Sequence, residues 1–415
     1  MTRSSRIAAH PAALALAAVL GLALTMSQFA EAQTFEVLYS FAGHPTDGAG
    51  PEAGLLMDAS GNLYGTTSFG GKVNGAHCGS SGYIGCGTVF KLNTSGVETV
   101  LHNFAGADGT TPRANLIMDA NGSLYGTTAF GGNLQDCGGN GLTGCGVVFR
   151  LSGEKDTVLH RFTGGADGAS PQAGLVMDAS GALYGTASAG GSVGGGVVFK
   201  LVGKKETVLH NFTGGKDGDE PASGLLLDAT GNLYGTDAYG GDTDCGCGVV
   251  FKLAGKHLSV LHSFKGTPDG AEPIAGVIMD PAGNLYGTTN DGGTQGNLGT
   301  VFEVTQADKE SVVYRFKLEQ NGFSPVGLVR DAQGNLYGTT GEGGLYGYGV
   351  VYEITAAGKE KILYNFCSPR ECTDGAFPNA LIMDAQGNLY GTTFDGGTLG
   401  YGTIFKITLP PAHPQ

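Results

Sequence analysis

From residue 35 onward the chain repeats one pattern of apolar and polar positions. A unit contains four short apolar runs, seen first as GLLMD at 54–58, NLYGTT at 62–67, GTVFKL at 87–92 and ETVLHNF at 98–104. The first run is apolar almost throughout, as in a strand covered on both faces. All four are rich in β-branched and aromatic residues and are bounded by Gly, Asp, Asn or Pro, which predicts β-strands. No stretch of ten or more residues carries an apolar stripe at helical spacing. The 76 glycines argue the same way, because glycine costs about 1 kcal/mol per helical position relative to alanine.

The phrase GNLYGTT begins at Gly61, and variants begin at Gly122, Gly181, Gly231, Gly283, Gly334 and Gly387. Four short antiparallel strands recurring every fifty to sixty residues or so predict the blade of a β-propeller, since the rungs of a β-solenoid are about half that length. The ends of the repeat favour the propeller further. FEVLYSF at 35–41 matches a fourth strand and precedes the first unit, while GTIFKIT at 402–408 matches a third strand with no fourth after it. The opening strand therefore completes the seventh unit, and the closed ring leaves no interior edge unpaired. The predicted fold is an all-β, seven-bladed β-propeller of four-stranded antiparallel blades over residues 33–409, followed by a short Pro-rich tail, 410–415.

The first 32 residues read differently. Arg3 and Arg6 precede the apolar core AALALAAVLGLAL, and AEA at 30–32 offers small residues for cleavage. This is the layout of a secretory signal peptide, its apolar run being short for a bilayer span. With no other long apolar run, no membrane insertion is expected after its removal, and the remaining chain is expected to be a secreted or periplasmic monomer. The chain's net charge of −14 disfavours nucleic acid as a partner and suits cations or neutral ligands such as glycans.

The unit MDAxGNLYGTTxxGG…GxVFKL resembles the GloVer tandem repeat of secreted bacterial proteins with varied surface anchors, over essentially the whole chain after residue 32. The resemblance implies an extracellular or cell-surface repeat protein and supplies no catalytic residues. The closing LPPAHPQ carries no hydrophobic tail or sorting signal, so free secretion is expected in place of anchoring.

Several repeated residues invite chemistry. Asp58, Asp119, Asp178, Asp228, Asp280, Asp331 and Asp384 each stand three residues before a glycine, the preference of a type I turn. One carboxylate per turn is too few for Ca²⁺, which takes six to eight oxygens. A second acid recurs in DGxxP, at Asp47, Asp108, Asp167, Asp217, Asp269 and Asp374, with Asn321 in the sixth link. Strand order puts these links on the same face as the loops between second and third strands, and the DAxGN turns on the opposite face. His102, His160, His210 and His262 alternate with Tyr39, Tyr314 and Tyr364 in VLHNF-like runs. They lie on separate blades, so a shared metal is not expected, and the exchange with tyrosine fits aromatic packing. Neither a metal nor a cofactor is expected.

The eight cysteines form close pairs, Cys78 with Cys86, Cys137 with Cys145, Cys245 with Cys247 and Cys367 with Cys372, read as local disulfides of a secreted chain. Zinc is the alternative, but these spacings match no standard ligand pattern. The Cys245–Cys247 bridge would need a strained tight ring.

The repeat varies most in the pair before each GG. Phe69, Phe130 and Tyr239 there offer aromatic rings, and Asp291, Glu342 and Asp395 offer carboxylates. Aromatic platforms beside carboxylates suit a polyhydroxylated ligand or a cationic peptide, so these six are the candidate ligand-binding residues, with a glycan or cell-surface protein as partner. No nucleophile elbow, phosphate loop or HExxH motif occurs, and no catalytic residue is assigned. The expectation is a non-enzymatic binding or structural module. The alternative is a carbohydrate-active enzyme, a glycosidase or lyase, that uses Asp291, Glu342 and Asp395.

Overall fold

The computed structural model describes residues 33–410 except 73–78, 81–82, 134–136, 138–143, 154, 243, 294–295, 318–320 and 369–370. The proposed leader 1–32 and most of the tail, 411–415, lie outside the described residues. The chain forms seven antiparallel blades. In the first, the strands are Leu56–Met57, Leu63–Thr67, Thr88–Leu92 and Glu98–Asn103, paired in that order. Thr34–Ser40 pairs with Thr403–Thr408 as the outer strand of the seventh blade, so the N-terminal strand closes the ring as the repeat requires.

The inner strand is shorter than expected, two residues in most blades. The segment before it leans instead on the preceding blade. Thr66 Oγ1 donates to the Ala114 carbonyl of the next blade, and the equivalent bonds Thr127–Ala173, Thr186–Ser223, Thr236–Ala275, Thr288–Val326 and Thr339–Asn379 run round the ring to Thr392–Ala53. Backbone carbonyls that a longer inner strand would spend on its own blade therefore join neighbours.

Each residue of the LYGT centre has a scaffold task. Leu63 is buried in the blade core. The Tyr64 hydroxyl donates to Asp58 at 3.1 Å, a bond repeated in all seven blades. The glycine lies under an aromatic ring of the third strand. A Cβ on Gly65 would stand 2.6 Å from Phe90 Cζ, and Gly126, Gly185, Gly235, Gly287 and Gly391 face Phe rings at 2.5–2.7 Å. That ring in turn meets the Phe that ends the previous blade's outer strand. The seven edge-to-face pairs, from Phe41–Phe90 to Phe366–Phe405, have centroids 5.0–5.4 Å apart, with Tyr352 replacing one Phe. All of these rings are fully buried.

The DAxGN turns are built as expected. Gly61 N–H donates to the Asp58 carbonyl, Asp58 Oδ1 accepts from Ser60 and Asn62 N–H, and Gly61 has φ 81°. The carboxylate spends its lone pairs on its own turn and on Tyr64, which holds Asp58 below its ordinary range despite some burial.

Gly185→Ala is expected to lower stability by about 1–3 kcal/mol, the cost of overpacking a dense core. Gly203→Ala, where a Cβ meets nothing within 4 Å though φ is 60°, should cost less. Chemical denaturation of both variants checks the ranking.

Candidate functional site

The loops that could recognise a partner meet on one face of the ring, at the mouth of its central channel. Each link between blades runs through a left-handed residue before its proline. These are Thr111, Ser170, Glu220, Glu272, Ser324 and Phe377, with φ of 52–58°, and Gly50 at 60°. Proline disfavours helical backbone in the residue before it, and left-handed non-glycine residues persist only where the surroundings over-determine them. Here the pinning is visible. The N–H of Thr111, Ser170, Glu220, Glu272 and Phe377 donates to a carbonyl in the preceding blade's loop between its second and third strands.

The variable residues form a second contact with these links. Phe69 pairs with Ala49, Phe130 with Thr110, Tyr239 with Asp219, Asp291 with Ala271, Glu342 with Phe323 and Asp395 with Ala376. The six candidate residues therefore occupy one equivalent ladder position in six blades. This equivalence spreads them round the face. Phe69 approaches Phe394 of the seventh blade, both rings leaning over Gly50, where a Cβ would meet them at 3.2 and 3.0 Å. Beyond it, Tyr348 and Phe377 form an edge-to-face pair at 5.5 Å. Both lie at positions the repeat pattern does not single out.

The acidic side centres on Tyr239, a residue 42% exposed. Glu272, then burial, Glu220 and Asp291 raise the pKa of its hydroxyl. Burial and the Asp291 charge raise Glu272, while a bond from Asn290 opposes them. Glu220 and Glu272 were missed in the sequence because they stand before the link prolines, away in sequence from the variable pairs, and Glu272 meets Asn290 only across the folded link. Tyr239, an aromatic member of the variable set, thus lies among carboxylates, and Asp291 joins Glu272 beside it at the fourth and fifth blades.

The channel itself holds a cavity of about 430 Å³ lined by Leu55, Asn115, Leu225, Val277 and Leu328 among others. At its lining, Arg113 Nε meets Glu52 Oε2 at 2.9 Å, and burial raises the Glu52 pKa against the opposing pull of Arg113.

The histidines sit in separate blades, each edge-on to the Phe two residues later at 4.7–4.8 Å. Each also meets the acid of its own link. His102 Nε2 lies 3.0 Å from Asp108, and His160–Asp167, His210–Asp217 and His262–Asp269 lie at 3.1–3.2 Å. Tyr39 and Tyr364 make the same contact by donating to Asp47 and Asp374. The repeated His/Tyr position thus fastens the DG link as well as packing. A third residue comes from the next blade's outer strand, at the ladder position held by Glu98, Asp156, Glu206, Leu258, Glu310, Glu360 and Phe35. This junction acid was not foreseen, because its partner lies one blade away.

The disulfides Cys137–Cys145 and Cys367–Cys372 follow the spacing, and Cys245, whose partner the sequence leaves open, pairs with Cys247. Cys86 is disulfide-bonded, and Cys78 lies outside the described residues.

A family model described as the Gloeobacter/Verrucomicrobia repeat matches residues 24–139, 137–319 and 245–413. No curated protein matches the chain. Among solved structures, the chain is similar to the extracellular domain of a one component system from B. thetaiotaomicron (TM-score 0.57, 9% identity, 89% of this chain and 39% of that one). It is also similar to the extracellular domain of a hybrid two component system from B. thetaiotaomicron (TM-score 0.53, 11% identity, 90% and 41%). A third is PorZ, a bacterial surface component of the type-IX secretion system of Porphyromonas gingivalis (TM-score 0.52, 14% identity, 90% and 48%). The chain thus spans less than half the length of these structures, and at such identities the likeness is one of fold.

The junction acids carry a pH dependence. Burial, with the charges of Asp47 and Asp167, raises Glu98 and Glu206 from 4.5 to about 7. Between those values the folded chain binds more protons than the unfolded chain, so this contribution to stability is complete at low pH and falls as pH rises to about 7. The double variant Glu98→Gln, Glu206→Gln should melt higher than the parent at pH 8 and close to it at pH 5, as thermal unfolding at the two pH values would show.

Proposed function

Since the chain belongs to the Gloeobacter/Verrucomicrobia repeat family, we propose that it is a secreted, non-enzymatic binding module that recognises a glycan or cell-surface polymer through its loop face. The observation that carries this reading is the exposed Tyr239 ring set among Glu220, Glu272 and Asp291. An aromatic face covers the apolar face of a sugar ring, and carboxylates beside it accept hydrogen bonds from hydroxyls. The pinned links hold these groups in place before the ligand arrives, which limits the ordering cost of binding. The paired cysteines and the leader-like first 32 residues support an oxidising compartment outside the cytoplasm.

A second reading keeps catalysis in view. Glu272 has a raised pKa beside Asp291, and environments that push two carboxyl groups apart are what a glycosidase needs for its acid and its base or nucleophile. Glu342 and Asp395 hold the corresponding positions in the next two blades, and Asp291 has its closer electrostatic partner in Glu272.

A glycan-array screen of the chain from Gln33, followed by calorimetry, tests the binding reading. Tyr239→Ala should weaken the bound glycan at least tenfold, the scale of one lost stacking contact, about 1.4 kcal/mol. Unchanged affinity would place recognition elsewhere. If the same glycan is cleaved, and Asp291→Asn abolishes cleavage while binding persists, the enzyme reading replaces the first.

A further inference from the structure

Among the described residues, two of the blade junctions each bring together three metal-ligating atoms. At the first, His102 and Asp108 of one link meet Asp156 of the next blade's outer strand. At the other, His262 and Asp269 meet Glu310 in the same way. In each set the imidazole nitrogen and the two carboxylate oxygens lie within 4.8 Å of one another. We propose that these two junctions are sites for a divalent transition-metal ion such as Zn²⁺, each clamping neighbouring blades together.

Three observations support the assignment. First, Asp156 Oδ1 and Glu310 Oε1 are buried without a hydrogen-bond partner, which is costly for a carboxylate oxygen. Glu98, Glu206 and Glu360 share this feature at other junctions, but among the described residues it is the Asp156 and Glu310 carboxylates that lie within 4.8 Å of both an imidazole nitrogen and a second carboxylate. Second, each set places two carboxyl groups beside one imidazole, with Arg161 acting on Asp156 and Arg315 and Lys265 on Glu310 from farther out, and a dication between the two carboxylates would balance both charges directly. Third, the set combines nitrogen and oxygen donors. One imidazole and two carboxylates leave a fourth position open, a donor set and count that suit zinc, whereas Ca²⁺ and Mg²⁺ favour oxygen alone. Ligands around a tetrahedral zinc at about 2.0–2.1 Å stand about 3.3 Å apart, so a side-chain adjustment of at most about 1.5 Å closes the set. His102 Nε2 and His262 Nε2, which face Asp108 and Asp269 at 3.0 and 3.1 Å, would exchange those contacts for the metal.

The other junctions explain why these two differ. At His160 and Asp167 the next blade also supplies an acid, Glu206. There the Thr163 hydroxyl and N–H both donate to Asp167 and turn it toward its own link. Thr213 does the same to Asp217, whose junction has Leu258 at the acid position. Ala105 and Lys265 stand where those threonines do, and only their N–H groups bond Asp108 and Asp269. Tyr39, Tyr314 and Tyr364 replace the histidine at the rest.

Titration of the tag-free chain with Zn²⁺, after exhaustive chelation, tests the proposal. Two ions per chain are expected. Asp156→Asn and Glu310→Gln should each remove one, the double variant both, and Glu206→Gln neither. No binding to the parent chain, or two ions retained by the double variant, would overturn it. Anomalous diffraction at the zinc edge from the parent chain gives a reading that needs no variant. Peaks beside His102 and His262 support the sites, and zinc bound only elsewhere refutes them.

Discussion

The edge-to-face contact of two buried aromatic rings at each blade junction is the constraint on which the rest of the ring depends. One ring ends the outer strand of a blade, and the other lies on the third strand of the next. Because the second ring also covers the glycine of its own LYGT centre, one side chain locks a blade internally and fixes its neighbour. The glycine follows from the ring, since any Cβ would occupy the same space. The threonine beside it then reaches the neighbour's backbone, and a single four-residue phrase carries core, turn, close packing and ring contact.

This division of labour explains where variety is tolerated. The face with the DAxGN turns repeats because every blade needs the same corner, and its carboxylates are spent within that corner. The opposite face is held by backbone bonds between links and loops, which place few demands on side chains. Variable residues can therefore be presented at fixed positions. A rigid frame with interchangeable side chains suits recognition, and it concentrates an exposed tyrosine and three carboxylates at the fourth and fifth blades.

Much of the architecture was legible because it repeats. The period, the four runs and the misplaced first strand led to seven blades and the closing partner, and the aspartate-to-glycine spacing led to the turn. The six variable residues were legible as a ring of equivalent positions, but their neighbours were not. Glu272 lies in a link and meets Asp291 of the following loop only after folding. Asp156 and Glu310 looked like ordinary outer-strand acids, since the histidines and aspartates they face belong to the previous blade. Contacts within a unit leave a trace at fixed spacing, whereas contacts between units appear only when the angle between blades is known. The short inner strand went unread for the same reason, its backbone being shared with a neighbour.

The central claim is that the closed ring behaves as one cooperative unit, in contrast to an open repeat array whose units open nearly independently. Phe41 is the sharpest probe, because it joins the N-terminal strand of the seventh blade to Phe90 of the first. Amide hydrogen exchange of Phe41→Ala, a change costing about 3–5 kcal/mol in a buried core, tests this directly. The account predicts that protection of the slowest amides falls by a similar factor in all seven blades. Loss confined to the first and seventh blades, with the middle blades exchanging as in the parent chain, would contradict it.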